Sequence, residues 1–369
     1  MAQYKILAIN PGSTSTKVAL FEDDKMVFKA DVSHDVKVLD TFPTIPDQYN
    51  YRLETIQQVL KEQGCSLDGL SAVAARAGSV QPGVSGIYEV NDKAVEDSMA
   101  GVIVKHPAML GPKLARGLAE PYGARAFYIN PPDTDELCDY ARATGVKGLY
   151  RPSNVHALNQ KEVALRVAEK LGKKYEELNF VVAHLGGGCS ITAHQKGRMI
   201  DNTSNVAGEG PMSPTRCGEM PAKLVIDLCF SGKYTEKEIR NLLTKSGGFV
   251  SHLGTSDAYE VYKMGKNGDE YAQYLIDSFI YQSAKFIGAM AATMSGEVDA
   301  VILTGGMAKN EEMMGKLENM VKFIAPVYVV PGENEMEALG AGALRVLRGQ
   351  VTPKLYDGEP AWKGFDFAR

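Results

Sequence analysis

Two short stretches concentrate residues that could hold a polyphosphate. "INPGSTSTK" covers 9–17 and "HLGGGCSIT" covers 184–192. Gly12, Gly186, Gly187 and Gly188 let backbone N–H groups approach a ligand with no Cβ in the way. Ser13, Thr14 and Ser15 add hydroxyl donors, Lys17 adds a cation, and consecutive N–H groups can form an anion-binding nest. A plain tight hairpin uses the same glycines, so one such turn says little; two matched copies say more. Neither is a Walker A loop, because Lys17 is followed by Val18. Neither is a G-x-G-x-x-G turn, because each leads into another strand rather than a helix. Farther along, Arg76 ends the apolar run "LSAVAARAG" (70–78), and Arg216 lies in the Pro/Gly-punctuated "SPTRCGEMP" (213–221). His106 and His156 each stand just before a helical pattern. An ion pair, a solvated loop arginine or a helix-capping histidine would be the bland account of each. The histidines and carboxylates show no zinc-type spacing, since His184 and His194 are ten apart without a nearby partner.

The elements that must position these residues repeat. Sliding 6–27 onto 180–201, an offset of 174, places Gly12 on Gly186, Thr16 on Ser190 and Ala19 on Ala193. Each copy reads strand, small-residue turn, strand, charged turn, strand. A period this wide suggests two related domains rather than a solenoid. Around the copies, 47–63 reads as a helix with Asp47 as N-cap and Gly64 as stop. The stretch 157–172 reads as an amphipathic helix and 270–294 as a long apolar one. Residues 299–317 read as strand, Gly-Gly turn and helix, and 327–347 as strand, turn and a last helix. Alternating strands and helices make the class α/β. The tail 350–369, rich in Gly, Pro and Lys, reads as loosely packed.

The 369 residues are 44% apolar and 23% charged, ordinary for a globular enzyme of two domains. A net charge of −5 and a pI near 5.8 give no basic footprint for nucleic acid. Five scattered cysteines without a C-x-x-C pair suggest reduced thiols and a cytoplasmic protein. No apolar run approaches the ~20 residues of a membrane span, and no signal peptide is evident at the N-terminus.

Ten segments in order carry a resemblance over nearly the whole chain: "INPGSTSTK", "DQYNYRLETI", "ARAG", "KHPAMLGP", "VHALNQKEVA", "HLGGGCSI", "SPTRCGEMP", "GTSDA", "LTGGMAKN" and "PGENEMEALGAGALR". Together they resemble the acetate kinase family, and within it the butyrate kinase branch. The resemblance implies a two-domain actin/hexokinase/Hsp70-like fold with duplicated ribonuclease H-like cores. It places an acid-binding domain at 1–152 plus 340–369 and a nucleotide-binding domain at 153–339. It implies ATP/ADP and Mg²⁺ as cofactors, a short-chain fatty acid as substrate, and a homodimer or larger homo-oligomer, with neither nucleic acid nor membrane as partner. It implies Mg²⁺ near Asn10 and Glu335, where Glu335 is one of three glutamates in "GENEMEAL". It implies phosphate contacts along Gly12–Lys17 and 184–188 (His184, Gly186, Gly187 and Gly188). Nucleotide contacts are implied at Gly305, Gly306, Met307 and Asn310. Arg76 matches a carboxylate-binding arginine, His106 a histidine near the transferred phosphoryl group, and His156 with Arg216 the groups that stabilise the transition state. Two positions depart from the family pattern. Asn130 stands where acetate kinases have Asp, with Asp133 and Asp135 close by, and Tyr259 stands where they have Arg. A nucleotide-dependent binding module on the same fold is the competing class. It would have no reason to keep Arg76, His106, His156 and Arg216 together.

Overall fold

β1 (Lys5–Pro11) and β7 (Asn179–Leu185) are buried on both faces, so each reads as a continuous apolar run rather than an alternating one. The structure, a computed structural model, describes residues 3–103 and 105–365. β1 pairs antiparallel with β2 (Ser15–Glu22), and β2 with β3 (Lys25–Ser33). On its other side β1 pairs parallel with β4 (Leu70–Ala75), which pairs parallel with β6 (Arg125–Ile129). β5 (Ile87–Glu89) and β12 (Lys354–Leu355) extend this sheet to the order β12-β5-β6-β4-β1-β2-β3. The second sheet comprises β7, β8 (Cys189–Gln195), β9 (Arg198–Asn202), β10 (Ala300–Gly305) and β11 (Val327–Pro331), in the order β11-β10-β7-β8-β9. The order and sense of β6-β4-β1-β2-β3 and β11-β10-β7-β8-β9 are the same, with two parallel pairings followed by two antiparallel ones. The chain is thus a duplicated α/β core.

The copies differ by one residue in the first turn. Pro11 pairs with Thr16, whereas Leu185 pairs with Cys189, so the second turn is a residue shorter. In register, Thr16 corresponds to Cys189 rather than to Ser190.

Side-chain alternation assigns each face of β7 to a helix. Val181, Ala183 and Leu185 join Val301 and Leu303 against the helix Glu270–Thr293. Phe180 and Val182 join Ile302 against the helix Ala157–Lys170. In the first sheet, Leu7 and Ile9 face the helices Tyr49–Glu62 and Gly111–Ala119. The helix Glu335–Leu347 packs on β1 and β4. It lies close because Gly340 and Gly342 meet Phe21 and Ile129, leaving no room for a Cβ.

The chain divides into two units: described residues up to Asp135 with those from Asn334 on, and Glu136–Glu333. Both boundaries fall earlier than the expected 152/153 and 339/340. The reason is hydrogen bonding. Glu136 accepts from Lys161 Nζ and from Met199 N, and Arg151 reaches Asp201, the Asn202 carbonyl and Glu209. Residues 136–151 therefore belong with the second sheet, and the last helix belongs whole with the first. Two smaller expectations change. Asp47 accepts from Thr44 rather than capping the helix, which starts at Tyr49 after a 3₁₀ turn. The tail does not pack loosely throughout. Tyr356 is buried, accepts from Gln81 N at 2.8 Å and donates to Asp97 at 2.9 Å.

Candidate active site

In the first unit, the ends of three elements bring Asn10, Arg76 and Glu335 together. Asn10 is buried at the end of β1 and donates Nδ2 to Glu335 Oε2. Arg76 follows β4, held by its N–H to the Ile9 carbonyl at 2.9 Å, and its Nε lies 3.8 Å from Glu335 Oε1. Glu335 opens the last helix, where a carboxylate is favoured by the helix dipole. The turn 12–15 is closed by Gly12 N–H to the Ser15 carbonyl at 2.7 Å, with Ser13 and Thr14 exposed. Lys17 is exposed and stands opposite Asn10 in the β1–β2 register. His106 accepts from Ala108 N at 3.2 Å and so caps the short 3₁₀ helix Pro107–Leu110. That segment reaches the arginine because Gly111 has no side chain; a Cβ there would strike the Arg76 carbonyl.

Arg52 was not legible as a site residue, yet it is fully buried and donates to the Gly12 carbonyl at 2.9 Å and the Ser13 carbonyl at 2.8 Å. Burial draws its pKa down to about 10, still cationic at neutral pH. Its signal in the sequence is a charge on an apolar stripe, Arg52, Ile56 and Leu60 at i, i+4 and i+8. Asn130, with φ of 40°, spends its side chain on the turn, where Oδ1 accepts from Gly86 N at 2.7 Å. Asp133 and Asp135, close by in sequence, are buried.

In the second unit, the glycine turn 186–188 joins β7 to β8. The Gly187 carbonyl accepts from Ser213 Oγ at 2.8 Å and Thr215 Oγ1 at 2.9 Å, which pins the loop 213–216 beside it. Arg216 then lies on Gly188: a Cβ there would fall on the guanidinium. Arg216 donates to Asn205 Oδ1, while its Nε is buried without a hydrogen-bond partner. Burial lowers its pKa. A desolvated guanidinium with an orphaned N–H suits an incoming anion, because an unpaired buried donor is costly. His184 is the next-to-last residue of β7, and its ring stacks on His156 at 3.8 Å between centroids and 9° between planes. His184 Nε2 lies 3.1 Å from Glu333 Oε2, and Glu333 Oε1 accepts from Gly306 N at 3.1 Å.

A cavity of about 380 Å³ opens beside this turn, lined by Gly186, Gly187, Gly306, Met307, Asn310 and Glu333, with Asp257 and Tyr259 across from them. Gly305, with φ of 95°, abuts the Leu185 backbone and brings the β10 turn against the β7 turn. Asn310 caps the helix Glu311–Val321 by accepting from Met313 N at 3.1 Å. Tyr259 is exposed and stacks on Tyr262. Exposed aromatic surface beside a loop with backbone donors can take a nucleoside and its phosphates.

Residues 132–336 match the Acetokinase family. The chain is 46% identical over 353 residues to "Probable butyrate kinase 2" of Caldanaerobacter subterraneus subsp. tengcongensis, covering 96% of this chain and 99% of that one. It is 44% identical over 354 residues to "Butyrate kinase 2" of Clostridium acetobutylicum, with the same coverage.

The chain belongs to the acetokinase family.

Its fold agrees. The Porphyromonas gingivalis acetate kinase structure superposes with a TM-score of 0.75 at 21% identity, covering 94% of this chain and all of that one. A Francisella tularensis propionate kinase gives 0.74 at 19%, covering 92% and 99%. These likenesses speak for the architecture alone. As a member of this family the chain is a kinase that uses ATP and a carboxylate acceptor. Among the described residues no helix is long and apolar enough to cross a membrane.

Proposed function

We propose that the chain transfers the γ-phosphoryl group of ATP to butyrate or a close short-chain acid, reversibly, giving ADP and the acyl phosphate. The observation that carries this is the full-length identity to proteins named butyrate kinase. A carboxylate oxygen forms a bond to the γ-phosphorus as the bond to the β,γ-bridging oxygen breaks and ADP leaves. The acid has a pKa of roughly 4–5 and is already an anion at neutral pH, so no general base is needed. Asn130 in place of Asp is therefore chemically tolerable. What the reaction needs is charge neutralisation and positioning.

Arg76 offers a planar fork to the acid's two oxygens. Arg216 and His156 meet charge on the transferring group, with His106 near it. The turns at Gly12–Lys17 and 184–188 present donors to the phosphates, and the loop from Gly305 to Asn310 takes the nucleoside side. Asn10 and Glu335 supply hard oxygen donors suited to Mg²⁺, which typically binds through one or two carboxylates plus substrate phosphates. Among the described residues no cluster of three or more His, Cys, Asp or Glu is placed to hold a metal. When bound, Mg²⁺ would neutralise charge on the β- and γ-phosphates.

The test is acyl phosphate formation, trapped as the hydroxamate, across acetate, propionate, butyrate and isobutyrate. Because one methylene changes discrimination by only ~1–3 kcal/mol, activity should spread around butyrate. No hydroxamate with any acid would sink the reading; a maximum at acetate or propionate would move the substrate. A cytoplasmic location fits the five free cysteines. A homo-oligomer is part of the same reading, and light scattering tests it.

A further inference from the structure

We infer that a buried hydrogen-bond chain, Tyr175–His194–Gln160–Ser190, holds His156 as the neutral tautomer with its proton on Nε2, so that the ring presents a donor to the transferring phosphoryl group. The inference rests on the proposed role of His156. The direction of each bond follows from groups that can act in only one way. Gln160 Nε2 lies 3.0 Å from the Ser190 carbonyl, which can only accept, so that end of the amide is the nitrogen. Its Oε1 then faces His194 Nε2 at 3.2 Å, and His194 must donate there. His194 Nδ1 accepts from the Tyr175 hydroxyl at 2.6 Å. The other amide N–H of Gln160 goes to Ser190 Oγ at 2.9 Å. With that oxygen accepting from Gln160 and lying 3.3 Å from the His156 N–H, its own proton points to His156 Nδ1 at 2.8 Å. A neutral ring whose Nδ1 accepts carries its proton on Nε2.

The chain has no loose end to reverse it. Gln160, Ser190 and His194 are fully buried. Burial, aided by Lys161, pushes the His194 pKa well below its ordinary value, and burial pushes the Tyr175 hydroxyl well above its own, so both stay neutral. Lys161 is paired with Glu136 at 2.8 Å and lies over the Tyr175 ring. On the other face of His156, His184 is set differently. Asn159 Nδ2 donates to the Glu333 carbonyl at 2.7 Å, so Asn159 Oδ1 accepts from His184 Nδ1 at 2.7 Å. His184 Nε2 lies on the Glu333 carboxylate, 3.1 Å from Oε2. Ser190, Gln160, His194 and Tyr175 are accordingly positioning residues.

Gln160→Glu keeps the shape and removes both N–H donors, so the Ser190 hydroxyl turns to the new carboxylate and Nδ1 of His156 loses its donor. The full chain, labelled with ¹⁵N-histidine, is read by long-range ¹H–¹⁵N correlation at pH 7, with His156 assigned by its absence in His156→Ala. The wild type is expected to show His156 neutral and protonated at Nε2. Gln160→Glu should lose that pattern and about 10²-fold in kcat, with KM for ATP within twofold. Gln160→Met, which cannot bond at either end, should lower kcat similarly. Wild-type His156 found as imidazolium or as the Nδ1–H tautomer overturns the inference, whatever the variants do. It is overturned equally if Gln160→Glu keeps both pattern and kcat while His156→Ala is inactive. A fully active His156→Ala would instead overturn the proposed role of His156.

Discussion

Arg76 and Arg216 are both guanidiniums, and their surroundings give them different work. Both are half-buried, but Arg76 lies beside Glu335, whereas Arg216 lies on Gly188 with its Nε buried and unpartnered. The first can greet a ligand from solvent; the second keeps a buried N–H without a partner, matched to charge that arrives later. We therefore expect Arg76→Ala to raise KM for the acid at least tenfold, about 1.4 kcal/mol, and to leave KM for ATP nearly unchanged. Arg76→Lys should fall between, since it keeps charge and loses the fork. Initial-rate kinetics with each substrate varied decides it: a large rise for ATP alone would move Arg76 to the phosphates. Arg216→Ala should cost ~10²–10³ in kcat, the usual loss for one transition-state donor. A kcat within a few-fold, with ATP affinity collapsed, would make Arg216 a ground-state nucleotide contact.

Each turn is held by something outside its own strands. The Gly186–Gly188 turn is tied to the loop 213–216 through the Gly187 carbonyl, and the Gly12–Ser15 turn is tied to the helix Tyr49–Glu62 through Arg52. Gly188→Ala needs no unusual backbone, because Gly188 is not in the left-handed region, but its methyl occupies the seat of the Arg216 guanidinium. The variant should fold, keep its circular dichroism spectrum and lose kcat as Arg216→Ala does. Wild-type turnover would show that the guanidinium has another seat. Arg52→Met removes two bonds to the turn and keeps the stem. It should weaken ATP binding measured by calorimetry and lower the melting temperature, because buried charged hydrogen bonds are worth ~1.5–3 kcal/mol each.

At the scale of the molecule, Glu136–Glu333 is one uninterrupted segment with its own sheet and its own helices on both faces. Expressed alone it should fold and bind ADP, while making no acyl phosphate, because Asn10, Arg76 and Glu335 lie in the other unit. An unfolded fragment by heteronuclear NMR would show that its core depends on the rest. The first unit is built from both ends of the chain, so its closing contacts are long-range. Tyr356 bonds to Gln81 and Asp97 across more than 250 residues. Tyr356→Phe strips both bonds from a buried pair and should destabilise the protein by ~1–3 kcal/mol in urea titration. No change would mean water replaces the hydroxyl.

By itself the sequence determined the doubled strand–turn–strand pattern, the α/β class, the glycine turns and most helices. These are local properties: period, capping and the need for Gly are written within a few neighbouring residues. The positions of Arg76, Arg216, His106 and His156 in loops were legible for the same reason. Which partner each meets was not. Arg52 reaching Gly12, Gln160 orienting Ser190, and the tail returning to β5 all join residues tens to hundreds of positions apart. The unit boundary at Asp135 was likewise decided by Glu136 and Arg151 bonding to β9 and its neighbours, contacts that exist only once the second sheet has formed. Side-chain hydrogen bonds carry no periodicity, so only the tertiary structure could choose them.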